Sequence, residues 1–442
     1  MSDATFQTLS GPCSEGARWF SVARSLLIVG LLASPLAFGA VQAWAWGALD
    51  AVVFVVFLLW LLGTVKQREL QIFWSPLYIP ALLLLLLGAA QLAFHLTLDW
   101  TSTREAFFKL SFDMVLFFLA SQLLASSSRL GLRRFGLVVC VFTFLLSMFA
   151  LLQLFSSHNE IYWSIPSPNV ALGPYVNRNH YAGLMEMQIP VAASYVASEQ
   201  VSSSLRLLLG FMVLVPVVSL LISGSRGGFL ALCGETLIAA CILWRRVGPA
   251  SRRPLVAVAV TAIVLTVAIG LWLVSAETTQ RFAETLHIDK NVAEPSIATR
   301  LKVSRDSLRI WRDHPWIGTG MGSFEVAFPP YQSFPSDLFW DHAHNDYAEA
   351  LAETGLAGGL LIAAGLTIFF RLALRELRWR SGSRTAWIRF GAMVGCCGML
   401  IHSLVDFNLH LPANAAWFVV LVAIACGGGL AKPATMASPA SW

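Results

Sequence analysis

The feature that most constrains this chain is a recurring block of apolar residues, each about 20 long, the length that crosses a bilayer as a helix. Of the 442 residues, 57% are hydrophobic and 12% are charged, where a soluble domain carries roughly a quarter charged residues. For most of its length the solvent of this chain is lipid, and only self-satisfied backbone such as a helix can stand there. The sequence therefore predicts an all-α, polytopic membrane protein.

Twelve spans are predicted, centred at about residues 30, 55, 87, 116, 145, 188, 214, 236, 265, 357, 395 and 421. The fourth, Ser111–Ala125, is short and carries Asp113. The first apolar run, Trp19–Val41, has no small-residue cleavage site and reads as a span rather than a signal peptide. Cys140, Cys233, Cys241, Cys396, Cys397 and Cys426 lie in apolar segments and Cys13 in the N-terminal tail, so no disulfide framework or cysteine zinc site is predicted. No internal repeat at a fixed period is visible, which argues against a solenoid or an inverted-repeat transporter.

Lys66 and Arg68, then Arg129, Arg133 and Arg134, then Arg206, then Arg245, Arg246, Arg252 and Arg253 fall in the even-numbered loops. Arg371, Arg375, Arg378, Arg380 and Arg384 follow the tenth span. The positive-inside rule then places both termini in the cytoplasm. The net charge of +5 sits in these loops, so no nucleic-acid partner is expected. Residues 1–275 hold nine spans, 276–344 form one large periplasmic loop with an amphipathic helix, and 345–442 hold the last three spans.

Inside that loop, Ile297, Leu301, Leu308 and Trp311 share one helical stripe, and Lys302, Arg305, Arg309 and Arg312 the next. Such a helix would lie at the membrane surface with its cations at headgroup level, ended by Pro315 and by Gly318, Gly320 and Gly322. The plainer role for these cations is to anchor lipid headgroups. The sharper one is to dock a phosphate-bearing lipid through the planar guanidinium fork. "DHAHNDYAEALAETGLAGG" follows. Asp346 and Glu349 have capping-box spacing, so the tenth span starts there, and Gly355, Gly358 and Gly359 favour close helix packing. His342 and His344 precede that start, where an imidazole can take up a proton. With Asp341 and Asp346 they could also ligate a metal, but alternate residues in a loop make a loose pattern, and no metal site is predicted.

Arg178 and His180 stand at the entrance to the sixth span in "YVNRNHYAG", and Arg226 in "SGSRGG", whose glycines let a ligand approach the backbone. Asp50, Asp113, Glu186, Glu235, His402 and Asp406 are ionisable groups within spans and need a partner or a cavity. Asp406, near the outer end of the eleventh span, is expected to face the arginines' cavity, while Asp50 and Asp113 suit structural pairing with nearby cations. Arginines can stabilise a leaving pyrophosphate and a histidine can deprotonate an attacking hydroxyl. Their placement on one side of the membrane, rather than any single motif, suggests glycan transfer from a lipid pyrophosphate.

The "SRGG" turn, "SRDSLRIWRDHPWIGTGMGSF", "HAHNDYAEALAETGLAGG" and "HSLVDFNLHLPANA" resemble the O-antigen ligase and polymerase superfamily over about residues 170–425. The resemblance implies a metal-independent, cofactor-free, inverting glycosyltransferase of the bacterial inner membrane with its active site facing the periplasm. It also implies an undecaprenyl-pyrophosphate-linked glycan donor. The acceptor would be lipid A-core for a ligase or a second lipid-linked glycan for a polymerase. By the same resemblance His344 would be the base, Arg226 would grip pyrophosphate, and Arg300, or else Arg305 or Arg309, would make a second phosphate contact. Arg178, His180, Arg305, Arg309, His342, Asp346 and Asp406 would line the substrate. Membrane lipids, a chain-length regulator and a flippase are the further partners implied. A protein O-oligosaccharyltransferase often carries an extra C-terminal domain, and the few residues after the last span here count against that activity. A transporter or flippase is the rival from another class. It would place its charges near the midplane rather than at one surface.

Overall fold

The computed structural model describes residues 15–68, 70–167, 170–198, 202–246, 248–274, 297–336, 339–377, 385–427 and 430–433. The first part of the predicted outer loop, residues 276–296, lies outside the described residues, as do Cys13, Arg378, Arg380 and Arg384. Helices stand at every predicted span centre. They are α1 (Glu15–Leu36), α2 (Ala43–Gln67), α3 (Tyr78–Ala93), α4 (Trp100–Ala120), α5 (Arg129–Ser156) and α6 (Arg178–Ala197). There follow α7 (Ser203–Ile222), α8 (Arg226–Trp244), α9 (Pro249–Val274), the outer-loop helix α10 (Ile297–Asp313), α11 (Asp346–Glu376), α12 (Ala386–His402) and α13 (Pro412–Cys426). Among the described residues, eight helices are long and apolar enough to cross a membrane, while α3, α12 and α13 are apolar but shorter.

The fourth helix is longer than its apolar run. It starts at Trp100 because Asp99 caps it, accepting from the Thr101 N–H at 2.9 Å and the Ser102 hydroxyl at 2.5 Å. It continues through a π-helical turn, Ser121–Ala125, and so reaches spanning length.

The connections gather at two ends. At one end the Leu98 N–H donates to the Thr319 carbonyl at 2.8 Å, Asp346 N–H to Ser403 O at 3.0 Å, and Tyr162 Oη to Leu36 O. At the other end Gln71–Trp74 pairs antiparallel with Leu430–Pro433. There Gln122 also brackets Phe73 through both its backbone N–H and its carbonyl, each at 3.0 Å, and Arg246 donates to the Leu377 carbonyl. Odd-numbered loops thus meet odd, and even-numbered loops and the C-terminal strand meet even, as alternating helices require.

Helix α6 runs through the centre and is buried along nearly all its length, polar residues included. Its neighbour α12 approaches it closely through glycines. A Cβ at Gly391 would lie 2.5 Å from the Pro190 carbonyl oxygen. Being ringed by protein rather than lipid is what lets α6 carry Asn179, His180, Glu186 and Gln188.

The outer segment has its own small core of Val303, Ile310, Phe324, Phe328 and Trp340 on Ala352 of α11. Helix α10 packs on this core by one side. The buried side is Val303, Asp306, Ser307 and Ile310, because Asp306 accepts from the Ser333 N–H (2.9 Å) and hydroxyl (2.8 Å) of the following loop. Leu301 and Leu308 stay exposed beside the cations.

Gly355 also departs from its expected role. It breaks α11, with φ +62°, and its hydrogen faces the backbone of Trp316 and Ile317, which a Cβ would strike. The freed groups of the broken helix are taken up by the glycine-rich loop. Leu356 N–H donates to Pro315 O at 2.7 Å, Ala357 N–H to Trp316 O at 3.0 Å, and Gly320 N–H to Glu353 O at 3.0 Å. Gln91 of α3 closes the joint, its amide donating to Ile317 O (2.8 Å) and Glu353 O (3.1 Å) and its carbonyl accepting from Met321 N–H (3.1 Å). Gly355→Ala is expected to destabilise the protein by more than about 2 kcal/mol, since it adds both strain at positive φ and a backbone collision. A fall in thermal unfolding midpoint in detergent, compared with Gly365→Ala, where the nearest atom to a Cβ is 3.8 Å away, measures this.

Candidate active site

The N-terminal ends of α10 and α11 and the C-terminal end of α12 converge on one carboxylate. Asp406 stands on the loop after α12, with its side chain fully buried. Its Oδ2 accepts from Arg300 Nη1 at 3.0 Å, and the same nitrogen donates to the Val405 carbonyl at 2.8 Å. Its Oδ1 accepts from the Phe407 N–H at 2.9 Å and faces His344 Nδ1 at 3.5 Å. Burial alone would raise the Asp406 carboxyl. The neighbouring His344 and the Arg300 charge outweigh burial and hold it well below the usual carboxylate range. Burial this deep demands such compensation, because an uncompensated carboxylate would be strongly destabilising.

His344 is 8% exposed and has φ +50°, an uncommon conformation for a residue with a side chain. The strain turns its imidazole toward Asp406, between the edges of Trp340 (5.7 Å) and Phe407 (4.9 Å). The next residue, Asn345, is the N-cap of α11, accepting from the Tyr347 and Ala348 N–H groups at 3.1 Å. This corrects the expected capping box. Asn345 caps the helix, and Glu349 instead accepts from the Ala343 N–H and His342 Nδ1, each at 2.7 Å.

A second imidazole group adjoins the first. His342 stacks on Phe407 at 4.5 Å and lies 4.2 Å from the His410 ring. His410 Nε2 is 3.4 Å from both Glu349 Oε1 and Asp346 Oδ1. Burial would lower His342, but the Glu349 carboxylate reverses that and holds it up at about 9. His410 is pushed down to about 4 by burial, with His342 adding to the fall. Glu349 thus favours the protonated form of His342, and burial the neutral form of His410. His342, Glu349 and His410 also form a group able to hold a metal ion, their ligand atoms all within 4.8 Å of one another.

Of the remaining predicted residues, His180 is buried with its ring edge against Phe407 at 5.0 Å. Arg178 begins α6 and its Nη1 would lie 3.4 Å from a Cβ at Gly224, in the turn that bears Arg226. Arg226 is exposed in the first turn of α8, behind its N-cap Ser225. Arg305 and Arg309 are not brought into this cluster. Both sit on the exposed side of α10, and Arg309 pairs with Asp306 at 3.1 Å. Phe407, which touches His180, His342 and His344, and His410 were not singled out from sequence. "DFNLHLP" carried both, but no spacing distinguishes a ring that spaces catalytic groups from an ordinary core aromatic. Asp113 lines an apolar cavity of about 800 Å³ between α3, α4, α11 and α13, and the polar end of that cavity holds Asp346, Ser403 and His410.

The raised His342 value sets a pH dependence. A group held above its unfolded value near 6.5 contributes stability that is fully present below about that pH and is lost as pH rises through about 9. Melting between pH 6.5 and 9 is expected to fall more steeply for the wild type than for His342→Gln, by about 1–3 kcal/mol. Parallel melting curves for the two proteins across that range would contradict the assignment.

No curated protein matches this sequence. Residues 211–363 match the family model described as O-antigen ligase, over roughly a third of the chain, from α7 to the middle of α11. That span contains Arg226, Arg300, His342 and His344, and the match supports the resemblance of this multi-helix membrane chain to the O-antigen ligase/polymerase superfamily.

Proposed function

We propose that the protein is an inverting glycosyltransferase of the bacterial inner membrane. It moves a glycan from undecaprenyl pyrophosphate to an acceptor hydroxyl on the periplasmic face. The family implies O-antigen ligase/polymerase-type activity on lipid-linked glycan and, in general, lipid A-core. The observation that carries the finer reading is the convergence of Arg300 and His344 on Asp406, at the end of the molecule that also bears the Arg226 turn.

In this reading His344 takes the acceptor proton as the hydroxyl oxygen bonds to the anomeric carbon. The bond from that carbon to the pyrophosphate oxygen breaks, and its electron pair leaves with the pyrophosphate. Asp406 orients the imidazole and supports its positive charge, the part a third group plays behind a base. Arg300 and Arg226, with Arg178 beside the latter's turn, stabilise the pyrophosphate, helped by the positive N-terminus of α8. The apolar cavity ending at Asp346 and His410 suits the isoprenoid chain. Arg305, Arg309 and Lys302, exposed beside Leu301 and Leu308, suit anionic headgroups. Membrane transfer without chemistry is not favoured, since the family match falls on the arginine turn, α10 and the histidine segment together.

Purified protein should transfer glycan from the lipid-linked donor to lipid A-core or to a second lipid-linked glycan in the presence of chelator. His344→Ala and Arg226→Ala are each expected to lower kcat by about 100-fold or more. The preferred acceptor distinguishes ligase from polymerase, and full activity of folded His344→Ala would overturn the assignment. A cysteine at the exposed Val326 should react with an impermeant maleimide from the periplasm of intact cells, and one at Lys66 should not. The reverse labelling would sink the periplasmic placement.

A further inference from the structure

Two buried side chains next to Asp406, those of His402 and Glu186, are not used by that reaction. His402 is the last residue of α12, with its side chain at 0% exposure. Its Nδ1 is 2.9 Å from Glu186 Oε2 of α6, itself fully buried, and its Nε2 is 4.0 Å from Asp406 Oδ2. Glu235 of α8 is also buried, packed where Gly398 of α12 leaves room. The N–H groups of Val405 (2.9 Å) and Asp406 (3.1 Å) both donate to the His402 carbonyl, so the loop bearing Asp406 turns directly off His402.

Gly227 ties this pair to the arginine turn. A Cβ at Gly227 would collide with Cδ2 and Nε2 of the His402 ring, so the glycine of "SRGG" next to Arg226 is the space that His402 occupies. One imidazole is thus in contact with the turn of Arg226, the carboxylate of Glu186 and, across 4.0 Å, the carboxylate that holds Arg300 and faces His344.

We infer that Glu186 and His402 are positioning residues for the transfer reaction: a buried pair joining α6 to α12 that sets Asp406, and through it His344, relative to Arg300 and the Arg226 turn. Charge makes the arrangement self-consistent. Glu186 and Asp406 are buried carboxylates set near the two ring nitrogens of His402, with Arg300 on Asp406, so removal of either member of the pair leaves a buried polar group without its partner. The imidazole must also donate from Nδ1 to Glu186 while presenting Nε2 to Asp406, which fixes its ring plane and therefore the start of the loop. The inference rests on the reading of His344 as the base.

The test uses the full chain in nanodiscs with the lipid-linked glycan donor, rates being normalised to the monodisperse folded fraction. Glu186→Gln, which preserves size, is expected to lower kcat about tenfold with donor KM within about twofold of wild type. Glu186→Asp, which keeps the charge, should recover most of that loss. The swapped double variant Glu186→His/His402→Glu restores a buried pair but sets a carboxylate against Asp406, so it should remain impaired. Wild-type kcat in folded Glu186→Gln overturns the inference. So does recovery of kcat in the swapped variant, because any buried pair would then suffice. Loss of rate that tracks loss of folded protein in Glu186→Gln overturns it equally. His344→Ala separates the two readings. If it is inactive while Glu186→Gln is normal, only the positioning role falls; if it is active, the catalytic reading falls first.

Discussion

The structure depends on keeping one carboxylate ionised where water cannot reach it. Asp406 has no exposed side-chain surface, and an isolated anion there would be neutralised or would unfold its surroundings. Arg300 supplies the cation, the Phe407 N–H supplies a donor, and His344 and His402 approach different carboxylate oxygens. These groups come from α10, the loop before α11 and the end of α12. Satisfying one charge therefore draws three distant stretches of chain to one point.

The outer segment is held over that point by a backbone joint rather than by side-chain packing alone. A helix broken at Gly355 exposes carbonyls and N–H groups that must be paired in a region of low water content. The loop from Pro315 to Gly320 pairs with them, and Gln91 completes the set. Glu353, beside the break, also accepts from the Phe324 N–H at 2.9 Å. The small core of the outer segment is thereby fastened to a long helix. That leaves His342 and His344 on a short tether between Trp340 and Asn345, with little freedom to move.

Histidine density around Phe407 gives the site a graded electrostatic character. The Glu349 carboxylate raises His342, burial lowers His410 beside it, and His410 lines the apolar cavity. His344 lies on the Asp406 side of the same ring. The flat, apolar ring of Phe407 lies within about 5 Å of each of the His342 and His344 imidazoles. Two chemically distinct imidazole environments can then coexist on one loop.

The sequence by itself determined the helical class, the helix positions and the two-ended arrangement of loops. Each follows from local composition: apolar length dictates helix in lipid, and charge bias separates the loops. It also marked the residues with chemical potential, among them Arg226, Arg300, His344 and Asp406. Tertiary structure alone decided which arginine of 300–312 reaches Asp406, which face of α10 is buried, and that Gly355 breaks a helix instead of packing against one. It alone placed Glu186 and His402 under the site, 216 residues apart in the chain. The physical reason is that burial, partner choice and backbone pairing depend on atoms distant in sequence. A polar residue in an apolar span signals that it needs a partner, and only the packing of α6 against α12 says which one.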